Sequence, residues 1–309
     1  MNTSLETNLC GKRLSNPTVL ASGILGTSAD VMSFAARCGA GALTTKSCNL
    51  RGREGFPNPT VVSTPHYMLN AVGLANPGVE EEAKTVALLK KKTKAAVIAS
   101  VFESSPRKFA EVAEKISRAK PDFLELDLSC PHLSTEKDFS SYGDFSSNPE
   151  SASAVVSAVK SATKIPVFAK LSPNCADISV MAKAVESAGA DGITAINTAK
   201  GMAINAELRR PVLANKSGGV SGPALKPIAL KCVYDVYASV KIPIIGTGGV
   251  ATGSDAVEML MAGASAVGIG SAVYWRGFDV FSQVCTEMGQ WMKANGYSSV
   301  KQLVGAAHG

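Results

Sequence analysis

Phe123-Leu124-Glu125-Leu126-Asp127-Leu128-Ser129-Cys130-Pro131-His132 is the stretch on which the reading of this chain turns. Its alternating, apolar first half has a strand pattern, and Pro131 stops that strand straight after the thiol. Asp127 and Cys130 therefore fall near the strand's C-terminal end. In a parallel α/β protein, that end is where chemistry sits.

Outward from this strand, short apolar runs alternate with longer helical patterns in eight pairs. The runs are 17–22, 42–46, 96–101, 123–128, 166–171, 191–196, 243–247 and 265–270. Helical patterns follow at 29–38, 79–92, 106–118, 149–162, 176–188, 223–240, 252–262 and 277–294. Strict alternation implies parallel strands with right-handed crossovers, and eight units in about 250 residues is the pattern of a (β/α)8 TIM barrel. A doubly wound open sheet is the alternative, but no Gly-x-Gly-x-x-Gly follows the first strand. Residues 1–16 read as a small hairpin capping the barrel floor, with Gly11 at its turn. Three strand-to-helix connections, 47–78, 129–148 and 197–222, are long for such loops and converge over the C-terminal face. Ser140–Ser147 reads as a lid loop. The expectation is one domain over 1–309.

With 309 residues and 46% hydrophobic content, the chain can bury a full core. The net charge of +6 is modest, and its one obvious cluster, Lys90-Lys91-Lys92-Thr93-Lys94, closes a helix that opens on Glu80-Glu81-Glu82. Acids first and bases last suit the helix dipole, so this is a solvated face and not a nucleic-acid patch. The seven cysteines are scattered, with no Cys-x-x-Cys pair, which fits a reducing cytoplasm and argues against disulfide, zinc or iron–sulfur sites. No signal peptide or membrane-spanning run is present.

Lys46 and Lys170 end the second and fifth strands. A lysine in a barrel mouth is costly to bury without an anionic partner, so two of them suggest a bound anion or electron-rich ring. Gly248-Gly249 and Gly270-Ser271 end the seventh and eighth strands, the usual phosphate site of such barrels. Cys130 is either a small buried hydrophobe or a thiolate base. Asn70-Ala71-Val72-Gly73-Leu74 and Asn197-Thr198 offer donors suited to a carboxylate or pyrimidine-like ring, or else stabilise turns. His132 is the one histidine near the mouth; His66 and His308 lie at no metal spacing from it, and no metal site is indicated.

These pieces resemble the class 1 dihydroorotate dehydrogenases, flavin-dependent (β/α)8 barrels of pyrimidine biosynthesis. The resemblance runs from Leu9 to Ser282 through Ala21-Ser22-Gly23, Thr45-Lys46-Ser47, Asn70 to Leu74, Leu128-Ser129-Cys130-Pro131, Lys170-Leu171-Ser172-Pro173-Asn174, Ile196-Asn197-Thr198, Ser221-Gly222-Pro223, Gly248-Gly249 and Gly270-Ser271. Leu213 to Ala224 looks most like class 1B, whose catalytic subunits work with an iron–sulfur flavoprotein partner as heterotetramers; a homodimer is the other assembly implied. The resemblance implies FMN, its phosphate on Gly248, Gly249, Gly270 and Ser271 and its ring beside Ser22, Lys46, Ser47, Asp127, Lys170, Ile196 and Gly222. Cys130 is then the base that takes the C5 proton of dihydroorotate, with Lys46 stabilising charge on the ring. Lys46, Asn70, Ala71, Val72, Gly73, Leu74, Asp127, Asn197 and Thr198 hold the substrate.

Two departures stand out. Where the family pattern has Asn-Leu-Ser-Cys-Pro-Asn, this chain has Asp127 and His132, and an ionised Asp127 is an acceptor only, repulsive toward an anionic substrate unless offset. Histidine after the Cys-Pro pair also resembles the barrel domain of dihydropyrimidine dehydrogenase, so reduction of uracil or thymine is the alternative within flavin chemistry. The rival from another class is a Schiff-base lyase or aldolase using Lys170.

Overall fold

The apolar runs become the staves of a closed, all-parallel barrel. They are Thr18–Leu20 (β1), Ala42–Thr44 (β2), Ala96–Val101 (β3), Phe123–Asp127 (β4), Val167–Leu171 (β5), Gly192–Ala195 (β6), Ile244–Thr247 (β7) and Ala266–Ile269 (β8). Each strand pairs with the next in sequence and β8 closes on β1. The structure is a computed structural model and describes residues 3–128 and 145–309. Covered on both faces, parallel strands need apolar residues throughout, and all of β3 and β5 is buried. The (β/α)8 barrel expected from the alternation is present.

The flanking helices are Ala29–Arg37 (α1), Val79–Lys92 (α2), Pro106–Ser117 (α3), Pro149–Ala162 (α4), Ile178–Ser187 (α5), Lys226–Ser239 (α6), Gly253–Met261 (α7), Ala272–Arg276 (α8) and Val280–Ala294 (α9). Polar side chains fix several of their starts. Ser28, Ser105, Asn148, Asp177 and Thr252 each accept a hydrogen bond from a backbone N–H in the first turn that follows. α6 starts three residues later than the sequence suggests, because Pro223–Leu225 form a 3-10 turn ahead of it.

Both ends of the barrel are closed, and by different means. At the floor, Thr7–Leu9 and Lys12–Leu14 form the expected antiparallel hairpin. Its Leu9 and Leu14 pack with Val19, Ala42, Ala96, Phe123, Phe168 and Ile245 as an apolar plug. Phe123 meets Phe168 edge-on at 5.4 Å. At the mouth, the loops after β2 and β6 interlock in one antiparallel sheet, ordered Ala199–Met202, Ser217–Ser221, Met68–Asn70 and Val61–Ser63. The expected lid lies mostly outside the described residues; at its end, Phe145 is buried edge-on against Phe109 at 5.8 Å. Among the described residues, no helix is long and apolar enough to cross a membrane.

One helix corrects the sequence reading. Glu82 sits in the Glu80-Glu81-Glu82 run taken for a solvated face, yet it is fully buried. It lies one turn before Val86 and shares that inward stripe with Val79 and Leu89. Among the described residues, neither of its carboxyl oxygens has a hydrogen bond of ordinary geometry. Burial pushes its pKa to about 7, with the Thr45 side chain and the Lys46 charge pulling the other way. The folded state thus holds this proton to higher pH than the unfolded chain, so stability falls as pH rises from the reference value of 4.5 through 7. The Glu82→Gln variant should escape this loss. In urea unfolding at pH 5 and pH 8, wild type should weaken relative to the variant by roughly 3 kcal/mol, taking ~1.4 kcal/mol per pKa unit; parallel curves would refute the buried-carboxyl account.

Candidate active site

Strand ends and the two interlocked loops bring the chemistry together. Lys46 follows β2, Asp127 and Lys170 are Cα partners across β4 and β5, and Asn197-Thr198 follows β6. Gly248-Gly249 and Gly270-Ser271 follow β7 and β8. A cavity of about 490 Å³ opens among them. It is lined by Ser22, Lys46, Ser47, Asn70, Ala71, Val72, Gly73, Leu74, Asp127, Lys170, Ile196, Asn197, Thr198, Gly222, Gly248, Gly249, Gly270 and Ser271. The geometry therefore gathers every described site candidate into one place. Cys130 and His132 lie outside the described residues.

A buried polar network runs beneath the cavity. Lys170 Nζ lies 3.6 Å from Glu125 Oε1, with both side chains almost wholly buried. Ser100 Oγ donates to the same Glu125 oxygen at 3.1 Å and lies 2.9 Å from Ser47 Oγ. Ser47 Oγ in turn reaches Asp127 Oδ2 at 3.3 Å, and Asn197 Nδ2 donates to Asp127 Oδ1 at 3.3 Å. Ser22 Oγ donates to the Thr45 carbonyl at 2.8 Å. The lysine expected to need an anionic partner has one in Glu125, a residue the sequence analysis had read only as part of a strand.

Neighbouring side chains fix the loop donors. Arg53 Nε donates to the Gly73 carbonyl at 2.6 Å, holding the Val72 to Leu74 backbone at the cavity wall. Asn174 Nδ2 donates to the Thr198 carbonyl at 3.0 Å and to Ser172 Oγ at 2.8 Å. Asn70 Nδ2 donates to the Gly219 carbonyl at 3.4 Å, tying the two mouth loops across 149 residues of sequence.

Gly249 needs to be glycine: its φ is +74°, and a Cβ there would lie 2.6 to 2.7 Å from the Lys226 backbone and Cβ. Lys226 cannot easily give way, since its ammonium pairs with Asp255 at 2.8 Å and Glu258 at 3.0 Å. At Gly270 the nearest neighbour to a Cβ would be Ile24 Cδ1 at 3.4 Å, so that backbone is bare toward the cavity.

The six described cysteines, Cys10, Cys38, Cys48, Cys175, Cys232 and Cys285, are free thiols. Burial pushes all of them up, Cys10, Cys232 and Cys285 to about 11, so none is a ready thiolate at neutral pH. Among the described residues no group of His, Cys, Asp or Glu is arranged to hold a metal ion.

Val61, Met68, Gly219, Leu225, Val273 and Tyr274 also line the cavity and were not anticipated. Val61, Met68 and Gly219 belong to the mouth sheet, whose strands of three to five residues are too short for a period-two pattern to register.

Comparison with known proteins places this architecture. The sequence model of a family described as dihydroorotate dehydrogenase matches residues 4–292. The chain is 47% identical over 304 residues to the protein named dihydroorotate dehydrogenase B (NAD(+)), catalytic subunit, of Pyrococcus abyssi, covering 98% of this chain and 99% of the relative. Proteins of the same name from Methanosarcina mazei, 47% identical over 97% of this chain and 94% of the relative, and Methanocaldococcus jannaschii, 46% identical over 98% of each, align equally fully. The chain belongs to the dihydroorotate dehydrogenase family.

Proposed function

We propose that this chain binds FMN and oxidises (S)-dihydroorotate to orotate in pyrimidine biosynthesis, as one FMN-binding domain over residues 1–309. The observation that carries the reading is the single cavity in which two lysines, two glycine turns and two amide-bearing loop segments meet, in a chain that aligns end to end with relatives of that name. The residues fit the cofactor. Bare backbone at Gly249 and Gly270 suits a phosphate, while Lys46 at the cavity wall and the buried Lys170 suit a ring that gains negative charge.

In this reading Gly248, Gly249, Gly270 and Ser271 take the phosphate, and Ser22, Lys46, Ser47, Asp127, Lys170, Ile196 and Gly222 surround the ring. Asn70, the Ala71 to Leu74 backbone, Asp127, Asn197 and Thr198 orient the pyrimidine, with Lys46 reaching both ligands. Bound FMN supplies the acceptor for the hydride that leaves C6. Cys130 takes the proton from C5 as a thiolate and releases it to solvent; it is assigned from the sequence, three residues past β4. A free thiol has a pKa of about 8.5, so its thiolate fraction and the rate should rise with pH up to that value unless its site lowers it.

Electrons then leave to a separate iron–sulfur flavoprotein subunit in a heterotetramer built on a dimer of this chain. The relatives' names as NAD(+)-type catalytic subunits support this, together with the lack of a dinucleotide fingerprint after β1. A cytoplasmic setting suits the free thiols.

Anaerobic titration of the yellow holoenzyme tests the substrate. Dihydroorotate should bleach the flavin band and dihydrouracil should not; bleaching by dihydrouracil alone would transfer the protein to pyrimidine reduction, and a colourless protein would restore the Lys170 Schiff-base reading. Cys130→Ala should keep FMN yet slow bleaching by about 100-fold or more, the scale of general-base catalysis. Gly249→Ala should weaken FMN retention about tenfold, ~1.4 kcal/mol, because its added methyl displaces the turn; unchanged retention in equilibrium dialysis would remove the phosphate from that turn.

A further inference from the structure

The two glycine turns assigned to the phosphate leave different strands, and one side chain joins the segments that carry them. Arg276 ends α8, the short helix that opens at Ser271 straight after the β8 turn. Its guanidinium reaches back to the β7 side, where Nη1 donates to the Ala251 carbonyl at 2.6 Å. Nη2 donates to Glu287 Oε1 of α9 at 2.6 Å, and the other carboxylate oxygen, Glu287 Oε2, accepts the Gly253 N–H at 2.6 Å. Arg276 thus holds the backbone just past Gly249 directly, and the start of α7 through Glu287. The rigid fork of a guanidinium allows both bonds at once.

Close packing and charge keep this brace in place. Gly253 lies so near α9 that a Cβ on it would come within 2.4 Å of Glu287 Cβ. Hydrogen bonding to Arg276 holds the Glu287 carboxyl below the usual carboxylate range, so the pair stays ionised at neutral pH. Neighbouring donors are committed as well. Asp255 Oδ2 accepts from the Ala251 N–H at 3.0 Å, the Thr252 N–H at 2.8 Å and Thr252 Oγ at 2.9 Å. The N–H groups of residues 251–253 are therefore spent on the protein itself. The part of this turn that lines the cavity is Gly248, Gly249 and Val250.

We propose that Arg276 is a positioning residue for the cofactor phosphate: by tying Ala251 to the helix that follows Ser271, it sets the spacing between the two glycine turns. The inference rests on the proposed assignment of the phosphate to those turns. Arg276 does not line the cavity, and Glu287 offsets its charge at 2.6 Å. Its effect is on where the turns sit and not on the field at the phosphate. An anion held by backbone N–H groups from two segments needs those segments at one separation, because each bond weakens as its length and angle depart from the ordinary range.

The test compares FMN with riboflavin, which has the same ring and no phosphate, by equilibrium dialysis of the full chain reconstituted with each. Arg276→Ala should weaken FMN binding about tenfold, the scale of a lost hydrogen bond to a charged group, and leave riboflavin binding unchanged within about twofold. A brace that served only the fold would loosen both flavins alike, so equal losses, or none, would overturn the inference. Should Arg276→Ala not fold, Arg276→Lys carries the same expectation, since its ammonium keeps the charge without the fork. Glu287→Gln separates position from charge: its amide offers one acceptor where two donors converge, yet it leaves the guanidinium charge uncancelled. FMN should bind that variant more weakly than wild type; tighter binding would replace positioning by charge and sink the idea. Gly249→Ala keeps the underlying reading distinct. Should it weaken FMN while Arg276→Ala does not, the phosphate assignment stands and the role of Arg276 falls; should it leave FMN unchanged, both fall.

Discussion

The ion pair between Lys170 and Glu125 is the constraint on which the mouth of this barrel depends. Removing an ammonium and a carboxylate from water costs several kcal/mol per ion, which attraction alone repays only when the remaining hydrogen-bonding positions are also filled. Here the filling comes from adjacent staves. β4 and β5 put the two charges within reach, β3 offers Ser100 to the carboxylate, and Ser47 after β2 extends the chain of contacts to Asp127. A parallel barrel makes this possible because residues two apart on a strand point the same way, and pairing between neighbouring strands sets Ser100 beside Glu125 and Asp127 beside Lys170. Polar residues in the layer under the cavity are therefore committed to one another before any ligand arrives.

The two ends of the barrel explain why that layer stays dry from below. Leu9 and Leu14 of the N-terminal hairpin seal the floor together with Phe123 and Phe168, and Lys12 bonds Asp122 at 2.8 Å to hold the hairpin in place. Polarity thus rises along the barrel axis, from an apolar plug through the charged layer to an open cavity. An electrostatic interaction set in such a gradient is stronger than the same pair at a surface, since water reaches it from one side only.

Most of this architecture was legible in the sequence, for reasons that differ by element. The run Ala96 to Val101 is a strand in both readings because a buried parallel strand must be apolar along its whole length. The cavity was legible because lysines and glycine pairs at strand ends have few other uses. What stayed hidden depends on contacts far apart in sequence or on a single rotation. The mouth sheet joins Asn70 to Gly219, and neither the three-residue strand of the one nor the glycine-rich five-residue strand of the other announces itself. Ser100 and Glu125 look like ordinary strand positions until the barrel turns both inward. Glu82 fell in an acidic run that suits a helix start, and only its place one turn before Val86 puts it inside.

Taken together, the acids beneath the cavity set how much anionic charge the site accepts. Lys46 and Lys170 contribute two positive charges near it, and Glu125 and Asp127 would cancel both if fully ionised. Ser47 and Asn197 both hydrogen-bond to Asp127, so its charge is already spread over neighbouring donors at the cavity wall. Glu82, buried and with its pKa raised to about 7, has Lys46 among its influences and is neutral below that pH, which leaves more of the lysine charge uncancelled. The aspartate at position 127 is thus compatible with an anionic substrate through its neighbours: Ser47 and Asn197 donate to it, and the cationic Lys170 is its partner across β4 and β5.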